Sequence, residues 1–195
     1  MKPACRTGSI CIALVVALSL LALVAGTWAQ ETEGAEKQEG AKKPGPVEMP
    51  RDTLLAAARD MIAEAHYCAL ITLDASGHPR ARTMDAYPPD ENMVIWMGTS
   101  RLTRKVKEIQ DDPRVTLYFA HPKHVGYVTV YGTAEIVDTP EAKDTWWKEE
   151  LAQYFPEGKE GFILIAVTPQ WLEITDYTRG IVGDQKTWQP PVVKF

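Results

Sequence analysis

Cysteine is scarce in this chain: three residues in 195, two of them, Cys5 and Cys11, inside an N-terminal stretch set apart by its composition. Without that stretch Cys68 stands alone, which excludes an intramolecular disulfide framework; at the head of an apolar run it reads as a small core residue. Histidine is almost as sparse, with four residues. His121 and His124 lie three apart, but Pro122 disfavours a regular helix between them and no cysteine or carboxylate stands at ligand spacing. A solvated loop accounts for them better than a metal site. The chain has no GxGxxG or Walker-type glycine loop, no nucleophile elbow, no HExxH sequence and no internal repeat, so hydrolase chemistry has no local support. It also has no long basic face. With a formal net charge of −5, a nucleic-acid partner is disfavoured.

Apolar runs are short as well. The longest, Ile10 to Ala25, falls below the roughly 20 residues that a membrane span needs. It is preceded by Lys2 and Arg6 and followed by Gly26-Thr27-Trp28-Ala29, the charged, apolar, small order of a secretory signal peptide. Cleavage is expected after Ala29, giving a secreted or periplasmic protein with no membrane attachment; an uncleaved N-terminal anchor is the alternative. Loss of Lys2 and Arg6 leaves 19 basic against 26 acidic residues, a net charge of −7. Residues 30–50 are rich in Glu, Lys, Gly and Pro with little to bury, the composition of a disordered linker. Residues 51–195 are the size of one domain.

Within that domain, Leu54, Leu55, Ala58, Met61, Ile62 and Ala65 recur at helical spacing after Pro50-Arg51-Asp52. Strands are predicted at Cys68–Leu73, Pro79–Tyr87, Met93–Met97, Arg114–Ala120, Tyr127–Val137, Phe162–Val167 and Trp171–Thr175, the last two separated around Thr168-Pro169. Asp74-Ala75-Ser76-Gly77 has the composition of a hairpin turn, and Gly132 is placed for a bulge. A short helix is predicted over Leu102–Ile109, with Leu102, Val106 and Ile109 on one side. Another starts at Thr139-Pro140, with a capping hydroxyl and proline at its first position, and runs to Tyr154. Short connections make the strands mostly antiparallel. The pattern predicts a mainly β domain, a small barrel with flanking helices.

The chemical candidate is Thr99 to Lys105, TSRLTRK, at a strand-to-helix junction. Hydroxyls at Thr99 and Thr103, the charges of Arg104 and Lys105, and the backbone N–H groups of a helix start suit a phosphate dianion. Arg80 and Arg82 alternate along the preceding strand and so share a face. The competing reading is a solvated helix surface with i,i+3 and i,i+4 pairs, Arg101, Lys105 and Glu108 falling on one face and Arg104, Lys107 and Glu108 likewise.

Six segments in order carry a resemblance: Pro79-Arg80-Ala81-Arg82-Thr83-Met84, Val94-Ile95-Trp96-Met97, TSRLTRK with Lys107-Glu108-Ile109, Asp112-Pro113-Arg114-Val115, Tyr131-Gly132-Thr133-Ala134, and Trp147 through FPEG. Over about Leu54 to Tyr177 the chain resembles the pyridoxamine phosphate oxidase-like flavin-binding split barrels, the general-stress-protein branch above all. The resemblance implies a six-stranded antiparallel split β-barrel that forms a homodimer and holds flavin mononucleotide (FMN) at the subunit interface. Matched by position, Arg82 meets the flavin phosphate. Thr83 and Met84 lie along the ring, Thr99, Thr103, Arg104 and Lys105 are phosphate contacts, and Tyr127 takes the place of a ring-contacting glutamine; Arg80 has no firm counterpart. The implied activity is a flavin-dependent oxidoreductase with an unknown small-molecule substrate and no nameable catalytic side chain. Two departures argue against pyridoxamine phosphate oxidation: Asp85-Ala86-Tyr87 where the oxidases carry a strand lysine, and a tail without their Arg-x-His motif. A non-catalytic barrel holding flavin or haem, and a cofactor-free dimer, are the alternatives.

Overall fold

A computed structural model describes residues 49–195; the expected signal peptide, residues 1–29, and all but the end of the expected linker lie outside the described residues. The first helix, α1 (Arg51–Ala65), buries Leu54, Ala57, Ala58, Met61 and Ile62 on one stripe and closes at His66, whose N–H bonds the Ile62 carbonyl. It is tied to the turn before the third strand by Arg59, which donates to the carbonyls of Asp90 and Glu91.

Strands β1 (Tyr67–Leu73) and β2 (Pro79–Asp85) form the predicted hairpin. Its turn is set by Asp74, which accepts from the N–H groups of Ser76 and His78, and by Gly77 at φ +77, a left-handed conformation that favours glycine. Next come β3 (Ile95–Ser100), α2 (Arg104–Asp111), β4 (Arg114–Ala120), β5 (Gly126–Val137), α3 (Pro140–Trp146), β6 (Phe162–Asp176) and β7 (Val192–Lys194). All pairings are antiparallel, in the order β2-β1-β4-β5-β6-β3, with β7 added to β6. The edge strands β2 and β3 meet at a single bridge, Ala86 to Met97, where the Tyr87 N–H donates to the Trp96 carbonyl at 2.9 Å. The result is a six-stranded split barrel, mainly β with flanking helices. Its interior holds Leu70, Ile95, Met97, Leu117, Phe119, Val128, Val130, Ile165, Val167, Leu172 and Ile174. Burying each such side chain contributes about 1.5–3 kcal/mol.

Five elements, β3, α2, β6, α3 and β7, differ from the sequence expectation. Strand β3 runs on through Thr99 and Ser100, so α2 starts at Arg104 and Leu102, expected on its apolar stripe, is 91% exposed. The two strands expected around Thr168-Pro169 are one, β6. Opposite Pro169 sits Gly132, and the register slips between Tyr131 and Gly132, leaving Gln170 as the extra residue. A Cβ at Gly132 would stand 2.2 Å from the Thr168 carbonyl oxygen, so only glycine lets the bulged strand approach this closely. Helix α3 is capped by Thr139 as expected but stops at Trp146, with Trp147 extended and a short 3-10 helix over Glu149–Gln153. Trp146 stacks on Trp96 (5.4 Å between centroids) and lies beside Tyr87, while Trp147 packs edge-on against Phe155 and Phe162. Docking two tryptophans on different parts of the barrel breaks the helix between them. Finally, β7 was not expected at all.

Candidate functional site, a cationic cradle at the split

Beyond the Ala86–Met97 bridge the backbones of β2 and β3 no longer pair, and side chains of α2 span the gap. Lys105 donates through Nζ to Thr99 Oγ1 on β3 at 2.9 Å. Glu108 accepts at Oε2 from Arg82 Nη2 on β2 at 2.8 Å and from Thr72 Oγ1 on β1 at 2.6 Å. Arg82 also donates to Thr72 Oγ1 at 2.7 Å and to the Leu70 carbonyl at 3.3 Å. Four elements thus converge on one spot because the inward-facing residues of β1 and β2 turn polar at this end of the barrel.

Thr103 precedes α2 without capping it: its hydroxyl bonds the Ser100 carbonyl at 2.9 Å and lies 3.2 Å from Thr99 Oγ1. The first N–H groups of α2 therefore have no side-chain acceptor, an arrangement that favours an anion. Arg104 stands with Nε 2.8 Å from Glu108 Oε1. That contact is an ion pair without hydrogen-bond alignment, since Oε1 is buried and accepts no bond. The charges at the spot are Arg82, Arg104 and Lys105 against Glu108, an excess of two positive charges. Burial, then the neighbouring Arg82, lower the Lys105 pKa from the ordinary lysine value. Burial raises that of Glu108, but Thr72, Arg82 and Arg104 together outweigh it and hold the carboxyl below its usual value. Such a cluster is completed by an anion that accepts several charge-assisted hydrogen bonds.

The structure brings together Arg82, Thr99, Thr103, Arg104 and Lys105 of the residues singled out in the sequence. Met84 is buried one step along β2, opposite Cys68, and Thr83 faces outward opposite Ala69. Arg80 is turned away: it binds Asp74 in the hairpin turn at 2.8 Å and is half exposed. Tyr127 lies apart on β5, stacked on Tyr118 at 5.6 Å, and lines a cavity of about 450 Å³ with Tyr177 and Trp188. Sequence reasoning missed Thr72 and read Glu108 as a surface group. The signals were a threonine at the inward position that continues Cys68 and Leu70, and a glutamate beside the buried Val106 and Ile109. The histidines are not a solvated loop either. The His121 and His124 rings lie against each other, centroids 3.3 Å apart and tilted by 35°, His121 faces Glu64, and His124 bonds the buried Asp176 at 3.2 Å. Among the described residues no group of His, Cys, Asp or Glu is arranged to hold a metal.

Residues 55–180 match the model of the pyridoxamine 5'-phosphate oxidase like family. The chain belongs to this family. General stress protein 26 of Bacillus subtilis is 25% identical to it over 114 residues, covering 56% of this chain and 79% of that protein. General stress protein 26 of Bacillus anthracis shares the fold, with a TM-score of 0.58 at 20% identity over 73% of this chain and 98% of the other. A related protein of Clostridium acetobutylicum gives 0.62 at 17% identity over 75% and 97%. A Nostoc punctiforme structure described as a pyridoxamine 5'-phosphate oxidase-related, FMN binding protein gives 0.57 at 15% identity over 75% and 97%. The cradle, where strand and helix meet at the split, lies on residues the family match spans.

Proposed function

We propose that this chain binds FMN and acts as an exported, flavin-dependent oxidoreductase. The observation that carries the reading is the excess of two positive charges at the split, which equals the charge of a phosphate monoester dianion. Arg82, Arg104 and Lys105 would hold the phosphate, with Thr99 and Thr103 as hydroxyl donors and the start of α2 offering N–H groups that no side chain caps. When bound, the flavin supplies hydride-transfer chemistry, and the protein's part is to anchor and orient it. No side chain at the cradle is assigned as an acid or base. Oxidation of pyridoxamine phosphate is not proposed, because β2 ends at Asp85 rather than a lysine.

The same reading includes a homodimer and removal of the first 29 residues on export. Exposed Tyr67, Tyr118, Tyr154, Tyr177 and Trp188 offer aromatic surface to a second subunit; Trp146 and Trp147, by contrast, spend most of theirs on their own barrel. The absorption spectrum of the protein purified from its native compartment tests the cofactor. Flavin bands are expected, whereas a haem band or a colourless protein would overturn the assignment. Sedimentation with and without FMN tests the dimer, and N-terminal sequencing of exported material tests the cleavage.

A further inference from the structure

We propose that Glu108 is the cradle's resident counter-ion: it holds the cations together when no ligand is present and competes with the anion that binds, so that it sets how tightly a dianion is held. The proposal rests on the reading of the cradle as a phosphate site. Glu108 is 5% exposed, and a buried carboxylate is tolerated only with charged and hydrogen-bonding partners. Its two oxygens are treated differently. Oε2 is locked by Thr72 and Arg82, whereas Oε1 accepts no hydrogen bond although Arg104 Nε stands 2.8 Å away. The Arg104 side chain is 69% exposed, so it can leave Oε1 for an incoming anion without rearranging the core. Arg82 is fixed by three acceptors and stays.

Without the carboxylate, Arg82, Arg104 and Lys105 would face one another unneutralised, and Lys105 is already disfavoured as a cation by burial and by Arg82. The ligand-free fold therefore needs Glu108, and a bound dianion takes over part of its task. No other carboxylate is offered to the cradle by the elements packed there. Strand β1 carries no charged residue; β2 brings Arg82, while its Arg80 is held by Asp74 and its Asp85 is exposed; and the single charged residue of β5, Glu135, is exposed. Lys107, on α2 itself, is paired with Asp111.

The test compares the full chain with its Glu108→Gln variant, using sulfate, which stays doubly charged as the pH is lowered, and FMN. Glu108→Gln should lower the thermal midpoint of the ligand-free protein, bind both anions about tenfold more tightly, and be restabilised by sulfate more than the parent is. In the parent, sulfate affinity should rise as the pH falls below 4.5, the ordinary glutamate value, because the partners of Glu108 hold its carboxyl lower than that and protonating it removes the competitor; in Glu108→Gln that rise should vanish. Weaker or equal binding by a folded variant, or the same pH profile in both proteins, overturns the counter-ion role while leaving the phosphate reading intact. Should the variant not fold, a flat sulfate pH profile in the parent overturns it. If the parent binds neither sulfate nor FMN, the phosphate reading itself fails and the proposal with it.

Discussion

Replacing Lys105 with methionine should separate ligand affinity from stability. In the ligand-free chain the Lys105 ammonium makes one hydrogen bond, to Thr99 Oγ1 at 2.9 Å, and that hydroxyl keeps Thr103 at 3.2 Å when the lysine is gone. The side chain is half-buried next to Arg82, so its charge is disfavoured where it stands. Losing one ordinary hydrogen bond and one unfavourable charge should leave stability within about 1 kcal/mol of the parent. Because the folded pKa lies below the unfolded one, the parent gains stability as the pH rises through the window between them, and this alkaline gain should be missing in Lys105→Met. Against a phosphate, the same substitution removes a charge-assisted hydrogen bond of about 1.5–3 kcal/mol, a loss of about tenfold to a hundredfold in affinity. Flavin fluorescence titration and urea unfolding of both proteins give the two numbers. Unchanged FMN affinity, or a large loss of stability, would refute the reasoning.

Other substitutions probe the frame that positions the cradle. Gly132→Ala places a Cβ 2.2 Å from the Thr168 carbonyl oxygen and should cost about 1–3 kcal/mol or more in denaturant unfolding. Asp176→Asn weakens an acceptor that serves Thr178, Arg179 and His124 and should cost about 1–3 kcal/mol. Burial raises the Asp176 carboxyl, but its hydrogen bonds outweigh this and lower it. Its contribution is therefore full above the unfolded pKa and lost as the pH falls through the folded one, and the variant should show a shallower acid limb. Cys68, whose thiol is pushed up to about 12 mainly by burial, should resist a thiolate-specific reagent at mildly alkaline pH until the chain is unfolded.

Much of the fold was legible because its signals are local. The Asp74–Gly77 turn, the Thr139-Pro140 helix start and the β-branched and aromatic residues of β4 each act within a few residues. What was not legible depends on partners far along the chain. Pro169 reads as a strand breaker, yet it sits at a bulge whose space is made by Gly132, so β6 continues past it. Trp146 and Trp147 fall within the single helix expected from Thr139 to Tyr154, but each finds a different cluster on the barrel and the helix ends between them. At the cradle, the hydroxyl, arginine and lysine pattern named most of the cations and hydroxyls. The pairing of Arg80 with Asp74 depends on the hairpin closing, and the burial of Glu108 depends on α2 lying across Thr72 and Arg82. Charge alone says nothing about either.

The site proposed at the split of this barrel is one for the phosphate dianion of a flavin. Parallel titration of the purified, flavin-free protein with FMN and with riboflavin tests it most directly, because the two ligands share the ring and differ in the phosphate. FMN should bind at least about tenfold more tightly, the contribution of even one charge-assisted contact. Equal affinity for the two would mean that the split does not hold the phosphate.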